Sequence, residues 1–166
     1  MGKEKKMRVW LRKHKEFLSQ YSHIFIDISP TKTLFNRMIT FSLDSFVMPL
    51  QWETLRSIEA SKKLMNQYNN DMDNLEIDER AKTVTFINLY KTQKTSVSKE
   101  FEKALDNESE IKNMLIDTVI NDSAVVKQAM INKTTIARYT DTARVNNKCK
   151  EQFNNFIEEL INKEVL

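Results

Sequence analysis

Apolar positions recur along this chain with two different periods, and the change between them marks out its elements. Near the amino terminus Met7, Trp10, Leu11, His14 and Leu18 fall three and four residues apart. That spacing predicts a helix from about Glu4 to Gln20, with one apolar stripe and a positive opposite face. Ile24, Phe25 and Ile26 then make a short continuous apolar run of β-branched and aromatic residues. Such a run suits a strand covered on both faces of a parallel sheet, with Asp27 emerging at its carboxyl end and Pro30 turning the chain away.

Thr31 is placed to cap the next helix, in which Leu34, Met38, Phe41 and Ile39 would pack on the sheet. Residues 45–50 read as a second strand. Thr54 opens a helix with Leu55, Ile58, Leu64 and Met65 inward and Arg56, Lys62 and Lys63 outward, and the polar stretch Asn69 to Asn74 reads as a loop. Helices are expected to begin near Thr95 and Glu108, and Ser123 is expected to cap another that runs to about Asn132. A last helix, about Thr142 to Lys163, would carry Val145, Cys149, Phe153, Phe156, Ile157, Leu160 and Ile161 on one stripe. Short apolar runs also fit buried helix segments, so an all-helical domain is the alternative reading of the same pattern.

Composition narrows the class. The chain has 166 residues, 40% of them apolar and 30% charged, which is ordinary for one globular domain long enough to bury a core. Cys149 is the sole cysteine, so no internal disulfide can form. No apolar stretch approaches the roughly 20 residues that span a bilayer, and a cytoplasmic protein without a membrane partner is expected. The basic amino terminus, with Lys3, Lys5, Lys6, Arg8, Arg12, Lys13 and Lys15, lacks the uncharged apolar core of a secretory signal. Glycine occurs once, at Gly2. A phosphate-cradling loop needs several, because only glycine lets consecutive backbone amides approach the phosphates closely.

Taken in order, several segments resemble the ParA/MinD family of ATPases. Residues 21–30 followed by a helix and by Asp44-Ser45-Phe46-Val47-Met48-Pro49 are similar to that family's magnesium-site region. Gln51-Trp52-Glu53 with the helical run to Tyr68 resembles the segment that follows. Thr83 to Tyr90 resembles its next strand. Asp117 to Ser123 is similar to the strand and loop after that, and Thr134 to Tyr139 before a terminal helix completes the pattern. The resemblance covers nearly the whole chain but begins after the family's phosphate-binding loop.

The resemblance implies an α/β fold, a three-layer, mostly parallel sheet flanked by helices, formed by residues 1–166 as the carboxyl-terminal portion of such a domain. It implies ATP and Mg2+ as cofactors of the whole, bound weakly or not at all by this chain alone. Asp27 would hold the metal's water shell and serve the hydrolytic reaction. Asn88 would lie near the adenine base, as would Asn121, which stands where the family usually has proline. Lys91, Lys94, Arg138 and Arg144 become candidates for non-sequence-specific DNA contact. The expected role is plasmid or chromosome partition, with a partition adaptor as a further partner. The rival is a non-enzymatic module that binds an intact partition ATPase or its partner.

Other residues point to plainer roles. His14, His23 and Cys149 are too dispersed in sequence to argue a zinc site, and Cys149 on an apolar stripe reads as a small buried hydrophobe. No serine or threonine sits in a glycine-flanked nucleophile turn. If the family's phosphate-loop strand is missing, residues 23–28 lose a neighbour, and each unmet buried backbone group costs about 1 to 3 kcal/mol. Self-association, a partner that supplies the missing half, or marginal stability is therefore expected.

Overall fold

The computed structural model describes residues 3–28, 33–143 and 148–166. Three strands, β1 (Ser45–Gln51), β2 (Lys82–Tyr90) and β3 (Ile120–Asn121), form one sheet in the order β1-β2-β3. The amide of Lys82 donates to the carbonyl of Asp44, and the amide of Trp52 to the carbonyl of Asn88, so β1 and β2 advance in the same direction. β2 and β3 are parallel as well. Parallel neighbours require crossover connections, which here are helical. A 3₁₀ turn at Lys3–Lys5 precedes α1 (Lys6–Lys13), α2 (Lys15–Leu18) and α3 (Leu34–Thr40); α4 (Leu55–Asn74) joins β1 to β2. α5 (Ser96–Asn107) and α6 (Ser109–Asn113) join β2 to β3, and α7 (Ala124–Ile131), α8 (Ile136–Ala143) and α9 (Lys148–Asn162) follow.

The chain divides into two compact units, the first comprising Met1–Phe46 and Leu64–Lys82, the second Val47–Lys63 and Thr83–Leu166. In the first, Ile39, Phe41, Phe46, Met65, Tyr68 and Met72 are buried. Phe46 meets Tyr68 edge-on at 5.0 Å between ring centroids. Arg37 grips Asp71 with two parallel hydrogen bonds of 3.0 and 2.8 Å, which ties α3 to α4. Thr33 caps α3 by accepting from the amide of Asn36; the expected cap, Thr31, and Pro30 lie outside the described residues.

In the second unit the sheet has helices on both faces of β2. Leu50, Trp52, Ile58, Phe101, Leu105 and Ile111 form the core on one face, with Ile87 and Tyr90 of β2 packed against it. Val84 and Phe86 turn the other way, onto Ile116, Phe156, Leu160 and Val165. A fully buried side chain of this size contributes about 1.5 to 3 kcal/mol relative to its exposed state, so both clusters are needed to hold the sheet. α5 starts where the sequence predicts. Thr95 Oγ1 accepts from the Ser98 amide at 3.1 Å while Ser98 Oγ accepts from the Thr95 amide at 2.8 Å, a reciprocal cap. Ser123 caps α7 through the amide of Val125.

Four expectations are corrected. Residues 23–28 form no strand: the segment is irregular, with Ile24 52% and Phe25 80% exposed. A strand buried on both faces depends on hydrogen-bonded neighbours, and no described strand lies beside this run. The polar stretch Asn69 to Asn74 is the end of α4 and no loop, because Met72 extends the buried stripe of Met65 and Tyr68 by one more turn. Thr142 falls at the end of α8 and opens no helix; α9 is described from Lys148. The amino-terminal helix from about Glu4 to Gln20 appears as a 3₁₀ turn and two short helices separated at His14.

Candidate functional site

In open α/β sheets ligands bind in the crevice beyond the carboxyl ends of the strands, and here those ends carry most of the polar residues singled out in the sequence. β1 ends at Gln51 and is followed by Trp52 and Glu53. Trp52 is buried against Tyr90 and Phe101, at 4.7 and 5.1 Å between ring centroids. Its indole N–H has no acceptor among the described residues. Glu53 has a φ of 61°, in the left-handed region that non-glycine residues seldom enter. Its carboxylate accepts from Thr95 Oγ1 at 2.6 Å and lies 3.9 Å from the Lys91 ammonium. Thr95 thus both caps α5 and holds Glu53, and the positive end of the helix favours the carboxylate there.

β2 contributes Asn88. Opposite β3, Asn88 pairs with Ile120 and Tyr90 with Asn121, so Leu89 is the additional residue of a bulge. Leu89 has a φ of 58°, and the side-chain oxygen of Asn88 accepts its amide proton at 3.0 Å. This is the loop-capping use of an asparagine, and it leaves the Asn88 NH2 group as the donor still to be used. Asn121 stands one residue after Ile120 at the half-buried end of β3. The next amide, of Asp122, donates to the Tyr90 carbonyl at 3.1 Å. The bulge thereby brings Asn88, Lys91 and Asn121 to one edge.

Charges at this edge are balanced. The Lys127 ammonium hydrogen-bonds Asp122 at 2.7 Å. That bond, then the Lys127 charge and the more distant Lys91 charge, hold the Asp122 carboxyl below its ordinary range. Lys94 is one turn further and is spoken for: Glu102 accepts from it at 2.8 and 3.2 Å, and first the hydrogen bond, then the charge, raises the Lys94 pKa. Of the four DNA candidates, Lys91 and Lys94 therefore sit among carboxylates. Arg138 is elsewhere, in an open cleft of about 450 Å³ that it lines with Asn132, Lys133, Thr134 and Tyr139 between α7 and α8. Arg144 lies outside the described residues.

Asp27 is exposed and belongs to the irregular segment of the first unit. It does not stand at the end of a strand. Among the described residues no group of three or more His, Cys, Asp or Glu is arranged to hold a metal ion. With a single glycine, at Gly2, the sequence lacks the glycines that a backbone cradle for a triphosphate needs. The residues present therefore do not fit a magnesium–triphosphate group without further ligands. No described helix is long and apolar enough to cross a membrane. No family model, curated protein or solved structure matches this chain.

Sequence reading alone did not single out Glu53, Thr95 or Asp122 as partners at this edge. A signal for the first two was present, since a carboxylate just after a strand and a threonine just before a helix are both end-of-element residues. Their meeting depends on the sheet order.

Proposed function

We propose that this chain is a ParA-like partition protein, derived from an ATPase of plasmid or chromosome segregation and without hydrolytic activity of its own. The observation that carries the reading is the parallel order β1-β2-β3 with Asn88, Lys91 and Asn121 together at its carboxyl edge. Amide groups at such an edge are suited to read a base, and the crevice position is the one ligands use in this fold class. In this reading Asp27 serves a magnesium ion only when residues 23–28 are ordered beside a phosphate-binding half that lies outside this sequence. Lys133 and Arg138 face one cleft and are the cations best arranged for phosphodiester contact.

The test is reconstitution. The chain alone should give no ATP hydrolysis above the blank. Mixed with the amino-terminal half of a ParA-type ATPase, it should restore magnesium-dependent hydrolysis, and Asp27→Ala should remove it. Failure of every such mixture to bind or hydrolyse ATP overturns the reading.

One observation favours a second reading, the interaction module. Val47, Pro49 and Gln51 leave one face of β1 exposed, and among the described residues the strand has no neighbour on its outer side in the sheet. Binding to an intact partition ATPase without nucleotide, measured by titration calorimetry, would support the module over the catalytic reading.

A further inference from the structure

Two stretches of backbone are suited to a strand and, among the described residues, have no strand partner. The first is the outer edge of β1. Asp44 and Trp52 both bond toward β2, and backbone groups alternate sides along a strand. The even-numbered residues of β1 therefore face β2 and the odd-numbered ones face outward. The burial pattern has the same strict alternation, with Phe46, Met48 and Leu50 buried and Val47, Pro49 and Gln51 exposed. Pro49, which has no N–H, falls on the outward side, where an edge strand tolerates it. The outward edge still offers the amides of Val47 and Gln51 and the carbonyls between them.

The second stretch is residues 23–28. Its sequence is His-Ile-Phe-Ile-Asp-Ile, with strand-type residues in a row. Among the described residues no backbone hydrogen bond involves it, and Ile24 and Phe25 are more than half exposed. The described residues of the single chain thus leave both a donor-acceptor edge and a matching apolar segment unused.

We propose that the outer edge of β1 receives residues 23–28 of a second copy of this chain, and that the exchange is mutual. One polypeptide supplies what the other lacks. Mutual exchange uses the same two elements twice, which closes a two-fold dimer instead of leaving an open chain. It satisfies exposed edge amides of the kind that otherwise promote uncontrolled aggregation, and covers Ile24 and Phe25 in the same step. This pairing requires no nucleotide and does not depend on the partition reading.

The experiment is sedimentation velocity on the full chain across a wide range of concentration, with two variants that each remove one side of the junction. Ile24→Pro disables the segment and Val47→Pro the edge; Gln51→Pro replaces the latter if circular dichroism shows that Val47→Pro is unfolded. The wild type should be a dimer, and each variant should weaken it by about tenfold or more. An equimolar mixture of the two should regain a dimer, because one intact segment meets one intact edge. A wild type that stays monomeric overturns the proposal. So do proline variants that dimerise as well as wild type, or a mixture that does not recover.

Discussion

Asn88 holds Leu89 in a left-handed backbone conformation by accepting its amide proton at 3.0 Å. A branched-chain residue with φ near 58° costs about 1 kcal/mol or more relative to an ordinary conformation, and Leu89 is 40% exposed, so the part of its side chain that is covered offsets some of that cost. The strain is placed at the bulge that aligns Asn88 with Ile120. Leu89→Gly should therefore change stability by less than about 1 kcal/mol, because relief of the strain is set against the lost side-chain contacts and glycine's larger freedom in the unfolded chain, read as a urea midpoint close to that of wild type at unchanged slope. A lower midpoint would show that the leucine side chain matters more than its backbone.

Glu159 ties α9 to the loop before β3. Its two carboxylate oxygens accept from the amides of Asp117 and Thr118 at 2.6 and 2.9 Å. Burial pushes the Glu159 carboxyl up, but the hydrogen bonds from Thr118 and from the two backbone amides, with the charge of Lys163, bring it below its usual value. A folded-state pKa below the unfolded one adds stability above the unfolded value of about 4.3. That stability is lost as pH falls through the folded value. Wild type and Glu159→Gln should thus differ by a constant amount between neutrality and mild acid, and converge at lower pH. A difference that persists in strong acid would rule out the carboxylate as its origin.

The paired bonds from Arg37 to Asp71 are geometrically specific, because a planar guanidinium matches a carboxylate in a way an ammonium does not. The Arg37 side chain is 37% exposed and that of Asp71 17%, so solvent screens part of the interaction. Arg37→Ala should cost about 1 to 2 kcal/mol, and Arg37→Lys should recover less than half of it. Thermal unfolding of the two variants checks this; full recovery by lysine would reduce the contact to simple charge attraction.

Phe101 is fully buried beneath Trp52. Phe101→Ala should lose about 3 to 5 kcal/mol. Trp52→Phe should lose distinctly less, because the indole N–H has no acceptor among the described residues to give up and a tilted ring contact with Tyr90 survives. Denaturant titration of both variants gives the ranking, and a Trp52→Phe cost as large as that of Phe101→Ala would mean the indole has a partner in solution.

The elements legible in the sequence were those whose signals are local. Ser123 and Thr95 announce α7 and α5 because a cap needs only the next three residues. β1 was legible as a strand over 45–50 from its apolar run, but which residues face the core, Phe46, Met48 and Leu50, shows only in the structure. Residues 23–28 show the opposite case. Their apolar run has strand propensity, but a strand is made by its neighbours, and among the described residues none is beside it. The end of α4 was misread as loop because Asn69, Asn70, Asp71 and Asp73 are polar, while Met72 alone carries the buried stripe onward.

Part of the candidate site was legible too. Asn88 was expected at the end of its strand and Asn121 in the loop after Ile120, where the family has proline; the structure places Asn88 two residues before the end of β2 and Asn121 as the last residue of β3. The meeting of Glu53 with Thr95 and Lys91 was hidden, because it joins residues some 40 positions apart. Arg138 was readable only as a surface cation; its cleft with Lys133 requires the turn between α7 and α8.

The carboxyl-edge reading rests on the sheet order, and backbone nuclear Overhauser contacts measure that order directly. The account predicts cross-strand contacts between Trp52 and Asn88 and between Asn88 and Ile120 in parallel register, with extended chemical shifts over 45–51 and 82–90. Helical shifts across 82–90, or contacts that place β1 and β2 antiparallel, would contradict it.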